Sequence, residues 1–151
     1  MDRPGADVLR GSEPAKTTTP RTSDEVMPIC NIITPVGMLG YGLKREDHTA
    51  AALAQKLRNG VPTAIILDSG STDSGPEKLA LGCMSVPRDS YMKDLRKLLK
   101  LAWNFRVPLI FSSAGGDGSD EHVQELVGVV EEIAKEAYFL RLNKVQLIAR
   151  G

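Results

Sequence analysis

Apolar and polar positions fall in alternating blocks along the chain. Ile29, Cys30, Ile32 and Ile33 form a short apolar, mostly β-branched run, the composition of a buried strand. Cys30 reads there as a small buried hydrophobe. Thr34-Pro35 ends the run, and Gly37, Gly40 and Gly42 follow. From about Lys44 to Asn59 the period changes. Ala50, Leu53, Ala54 and Leu57 recur at helical spacing, and Gly60 is a natural stop. A second unit opens at Val61-Pro62 with the strand Ala64, Ile65, Ile66 and Leu67, runs into the polar loop Asp68–Pro76, and continues as a helix from about Pro87 to Phe105. On that helix Tyr91, Leu95, Leu98, Leu99 and Ala102 share a face. The third unit repeats the design: Val107-Pro108, the strand Leu109, Ile110 and Phe111, the loop Ser112–Asp120, and a helix carrying Val123, Leu126, Val127, Val130, Ile133 and Ala134 that Asp120 can cap. Val145, Leu147 and Ile148 then begin a fourth strand.

Strand, glycine-rich loop and helix, repeated in series, predict an α/β fold. Its sheet is mainly parallel, with right-handed crossovers between successive βα units. The nearly continuous apolar strands suit a sheet covered on both faces, a three-layer, Rossmann-like arrangement. Residues 1–26 carry Pro, Thr, Ser and mixed charge with almost no large apolar side chains, so they are expected to form a disordered tail ahead of an α/β domain over 27–151. A bare fourth strand would normally be covered by another helix. The expectation is therefore an incomplete domain, the amino-terminal portion of a longer protein.

Composition narrows the function classes. The chain has 151 residues, room for one domain, and is 42% hydrophobic and 25% charged with zero formal net charge. That balance argues against a nucleic-acid binder, which carries a basic excess. No apolar run reaches the roughly 18 residues of a membrane span, and no signal-peptide core opens the chain, so a cytoplasmic protein is expected. The two cysteines, Cys30 and Cys83, match no zinc or redox spacing.

In a parallel sheet the strand-to-helix loops all emerge at the carboxyl edge, where ligands bind. Glycines let backbone N–H groups approach an anion, and helix N-termini favour negative charge. The expected ligand-binding residues are Gly37, Gly40, Ser69, Gly70, Ser71, Thr72, Ser74, Gly75, Ser113, Gly115, Gly116 and Asp117. The expected catalytic residues are Asp68, where the second strand surfaces, Asp73 from its loop, and His122 in the first turn of the third helix. Paired carboxylates can divide acid and base roles or hold a divalent metal such as Mg²⁺ with a substrate anion. The structural alternative is that Asp68 and Asp73 tie their own turns, and that His48 and His122 are solvated surface histidines. Lys93–Lys100 reads as a solvated helix face, and Trp103 and Phe105 as packing residues. Gly37–Gly42 reads GxxGxG rather than GxGxxG, and no Walker lysine or GxSxG elbow occurs.

The stretches MPICNIITPVGMLGYG, AIILDSGSTDSGPEKLALG and RDSYMKDLRKLLKLAWNFRVPLIFSSAGGDGSDEHV resemble the start of the acyclic terpene utilisation family. The GSTDSGP stretch (Gly70 to Pro76) is the most distinctive part of the resemblance, which runs from about Pro28 to Ala137. Members are typically several hundred residues long. The resemblance implies a metabolic protein acting on a small organic acid or acyl thioester of the acyl-CoA type and does not fix a reaction. Two further readings stand beside an enzyme domain. One is an anion- or nucleotide-binding module without chemistry. The other is a truncated remnant acting through association, for which an uncovered sheet edge would favour homo-oligomers.

Overall fold

The computed structural model describes residues 29–71 and 73–136. The expected tail, the fourth strand beginning at Val145, and Thr72 lie outside the described residues. Within them, strand β1 (Asn31–Ile33), β2 (Thr63–Asp68) and β3 (Leu109–Ser112) form one parallel sheet in the order β1-β2-β3. Ile33 pairs with Ile65, Ile65 with Leu109, and Asp68 with Ser112. Helix α1 (Glu46–Leu57) links β1 to β2. Helices α2 (Gly75–Leu81) and α3 (Arg88–Phe105) link β2 to β3, and α4 (Asp120–Glu136) follows β3.

The core forms on one face of the sheet. Along β2, Thr63, Ile65 and Leu67 are buried. Ile65 and Leu67 share a single apolar cluster with Leu53 of α1, Leu95 and Leu98 of α3, and Leu126 and Val129 of α4. Two arginine–carboxylate pairs join α3 to α4, Arg88–Glu132 at 2.7 Å and Arg96–Glu136 at 2.6 Å. Both are substantially exposed, so the apolar seam beneath them carries the packing.

The α/β, parallel part of the expectation holds. The third layer is not found among the described residues. Successive strands added in the order 1-2-3 by right-handed crossovers place their helices on the same side of the sheet, and covering the other side needs a reversal of strand order. The outer face therefore keeps Ile32 60% and Ile110 51% exposed. Cys30, expected inside a buried strand, is exposed. It precedes a short edge strand whose outer side nothing covers among the described residues. Trp103 at the end of α3 is 44% exposed rather than packed away. No described helix is long and apolar enough to cross a membrane.

Candidate functional site

The parallel order brings the strand-to-helix loops to one edge, and their backbones interlock there. Leu39 donates its N–H to the Asp68 carbonyl at 2.8 Å, and Ser69 donates to the Ser112 carbonyl at 3.1 Å. The Ser85 N–H donates to the Gly115 carbonyl at 2.8 Å, which ties the segment between α2 and α3 to the third loop. A Cβ at Gly70 would run into the Gly116 carbonyl oxygen and the Ser113 side chain, and one at Gly115 would stand 2.5 Å from the His122 Cβ. Only glycine permits these two approaches. Gly115 also has φ +74°, in the left-handed region.

Three aspartates fill these loops from within. Asp68 Oδ1 accepts the N–H groups of Ser69 (2.7 Å) and Gly70 (3.1 Å) and the hydroxyl of Ser112 (2.9 Å). Partial burial acts to raise the Asp68 pKa, but the donors from Gly70, Ser112 and Ser69 outweigh it and hold the carboxyl below its ordinary value. Asp94, projecting from α3 and 1% exposed, takes the first glycine loop. Its Oδ2 accepts from Gly40 and Gly42 at 2.9 Å each, and its Oδ1 accepts from Leu43 at 2.7 Å. Lys97 adds a bond from Nζ to the Leu43 carbonyl at 2.7 Å. The Lys93–Lys100 stretch is thus not simply a solvated face.

In the third loop, Asp117 Oδ1 accepts the Ser119 N–H at 2.9 Å and pairs with His122 Nδ1 at 2.8 Å. Both side chains are buried, His122 6% and Asp117 3% exposed. Burial pushes the Asp117 carboxyl up, yet the Ser119 amide and the imidazole bring it below the ordinary value. An ionised carboxylate only accepts, so Nδ1 carries a proton and Nε2 is the atom left to exchange one. His122 also lines a groove of about 460 Å³ with Cys83, Ser85, Arg88 and Glu125. His122 is therefore not the solvated histidine of the alternative reading, whereas the His48 side chain is 63% exposed beside Arg45 and Asp47.

The expected site residues are distributed as follows. Asp117 and His122 meet. Asp73 is exposed at the turn before α2. Among the described residues no hydrogen bond or ion pair joins Asp68 or Asp73 to His122, and no three His, Cys, Asp or Glu side chains gather to hold a metal ion. Ser71 accepts from Gly75 at 2.8 Å and Ser74 accepts from Lys78 at 3.0 Å, both through backbone carbonyls that begin α2. Gly116 donates to the Ser113 carbonyl at 2.8 Å, and Ser113 itself is left-handed at φ 51°. Several amides expected to face an anion are thus already committed to the protein's own acceptors. Asp94 and the Cys83–Arg88 wall of the groove were missed. In the sequence Asp94 is one acid in a basic amphipathic helix, and nothing in its spacing indicates a partner loop some fifty residues earlier.

A larger concavity of about 530 Å³ lies at the opposite, amino end of the strands, lined by apolar residues such as Ile32, Ala64, Ile66 and Val107. Among its lining residues there is no acid–base pair of the kind found at the carboxyl edge. No family model matches the chain, and no curated protein or solved structure is significantly similar to it.

Proposed function

We propose that the chain is a metabolic enzyme domain acting on a small organic acid or acyl thioester, the substrate class that its resemblance to the acyclic terpene utilisation family implies, and that it does so by acid–base chemistry. The observation that carries this reading is the buried Asp117–His122 pair beside an open polar groove. A carboxylate at Nδ1 fixes the tautomer and orientation of the imidazole and stabilises its charged form when Nε2 takes a proton. His122 is the general acid/base and Asp117 its positioning residue. Asp68 has a lowered pKa and is a poor base at neutral pH, which leaves proton transfer to His122. Arg88, on the wall of the groove, supplies positive charge toward an anionic substrate, although Glu132 already shares it.

The test is proton exchange. The full chain is incubated in heavy water with a panel of short-chain acyl-CoA thioesters and organic acids, and deuterium entry beside the carbonyl is followed by NMR. Exchange with at least one panel member is expected, slowed by roughly a hundredfold or more in His122→Gln. Equal exchange by wild type and His122→Gln, or none with any compound, would remove the reading. The apolar outer face, with Ile32 and Ile110 exposed, favours a second element of the proposal, that the domain works in association with another chain.

A further inference from the structure

The groove that holds His122 also holds a thiol that the acid–base reading does not use. Helix α2 ends at Gly82, which turns the chain at φ +59°, and Cys83 donates its N–H back to the Lys78 carbonyl at 3.2 Å. Cys83 is left exposed and lines the groove together with His122. Two residues on, the Ser85 N–H bonds the Gly115 carbonyl at 2.8 Å, and Gly115 lies directly against His122. Two residues span at most about 7 Å, so the thiol is tethered close to the loop on which the imidazole packs. The His122 side chain is 6% exposed, its Nδ1 is engaged by Asp117 at 2.8 Å, and its Nε2 makes no hydrogen bond among the described residues. A carboxylate–imidazole pair sharing a groove with a thiol is the set of parts that nucleophilic catalysis uses. Cys30 is exposed too, but it lines the apolar concavity at the other end of the strands, whose lining residues include no histidine.

We propose that Cys83 accepts the acyl group of an acyl-CoA thioester, with His122 moving the proton. The proposal rests on the acid–base reading above; it narrows the substrate class to the thioester and names the atom that receives it. The Cys83 thiol gives its proton to His122 Nε2, and the sulfur lone pair forms a bond to the carbonyl carbon while the C=O π pair moves onto oxygen. As that pair returns, the bond to the CoA sulfur breaks, and the departing thiolate takes the proton back from Nε2. Asp117 steadies the imidazolium between the two transfers. One thioester and one thiol become another thioester and another thiol, so the step needs no oxidant, reductant or further reactant. A free carboxylic acid has no leaving group that a thiol displaces without activation, which singles out the thioester.

The full chain is incubated with the same panel of short-chain acyl-CoA thioesters. The acyl group is then located by mass spectrometry before and after treatment with neutral hydroxylamine, which cleaves thioesters and spares amides. A hydroxylamine-labile acyl group is expected on Cys83 with at least one panel member, absent from Cys83→Ala, with Cys30 unlabelled. Cys83→Ala alters an exposed side chain and should keep the melting temperature. His122→Gln should slow the labelling roughly a hundredfold. The comparison of Cys83 with Cys30 is made in the wild-type chain and holds whatever His122→Gln does to the fold. No acyl group on Cys83, equal labelling of Cys30, or an unchanged rate in His122→Gln would overturn the proposal. Deuterium exchange that depends on His122 without acylation of Cys83 leaves the acid–base reading standing and removes this one; acylation of Cys83 without exchange does the reverse.

Discussion

The Leu43 amide donates to the Asp94 carboxylate at 2.7 Å, which joins the end of the first glycine loop to the middle of α3. With Gly40 and Gly42 on its other oxygen, Asp94 acts as a buried anion that the loop wraps. Charge-assisted bonds of this kind are stronger than neutral ones, and their loss strands N–H groups away from water. Asp94→Ala should therefore destabilise the fold by roughly 2–4 kcal/mol in urea denaturation. A loss below about 1 kcal/mol would mean that water replaces the carboxylate without strain.

Much of the fold was legible because burial writes a period into the sequence. Leu53 and Leu57 on α1 and Leu95 and Leu98 on α3 follow helical spacing and do pack inward. Helix α2 left no such mark. It buries none of its residues, so nothing required apolar side chains at a regular interval, and Gly75-Pro76 reads as part of a loop. The site was legible in its location and less so in its chemistry. Composition placed polar glycine loops at one edge, but which acceptor takes each amide depends on side chains far away in sequence, as Asp94 shows. The His122 pairing has a local signal in the sequence, an aspartate five residues before it at the turn into α4.

Acid should loosen the third loop. The folded Asp117 carboxyl titrates below its ordinary 3.8, so its folded pKa is lower than its unfolded one. Its contribution is then fully present above the unfolded value and is lost as pH falls through the folded value. Melting temperature should decline as pH drops below about 4, and Asp117→Asn should flatten that decline. Asp68 shifts in the same direction, with a smaller effect because it is exposed and screened. A decline just as steep in Asp117→Asn would place the acid sensitivity elsewhere.

Gly70→Ala should disturb the seam between the second and third loops. The new methyl would meet the Gly116 carbonyl and the Ser113 side chain, and Ser113 is already held at φ 51°. Overpacking of this kind costs roughly 1–3 kcal/mol. Amide hydrogen exchange should show lost protection at Ser69 and Gly116, which donate across and within this seam. Unaltered protection at both would show that the seam takes up the methyl without parting the loops.

Arg106 closes α3 in the left-handed region at φ 54° and donates its N–H back to the helix, a position that suits glycine. Relief of the side-chain strain exceeds the added flexibility of the unfolded chain, so Arg106→Gly should stabilise by about 0.5 kcal/mol. Chemical denaturation measures this directly. Destabilisation would mean that the arginine side chain contributes packing larger than the strain it carries.

Asp68 separates turn chemistry from catalysis. Its hydrogen bonds to Ser69, Gly70 and Ser112 all arrive at one oxygen, Oδ1. An asparagine carbonyl oxygen can accept from the same donors, and its NH₂ would occupy the other, exposed position. Asp68→Asn should therefore keep the fold, losing only the extra strength that charge gives those bonds, about 1 kcal/mol or less after screening by solvent. The lowered pKa of Asp68 makes it a weak proton acceptor, and among the described residues no hydrogen bond or ion pair links it to His122. Deuterium exchange by Asp68→Asn should thus stay within about tenfold of wild type, while His122→Gln loses far more. A drop in Asp68→Asn as large as that in His122→Gln, with its melting temperature intact, would bring Asp68 into the chemistry and make His122 one of two groups moving the proton.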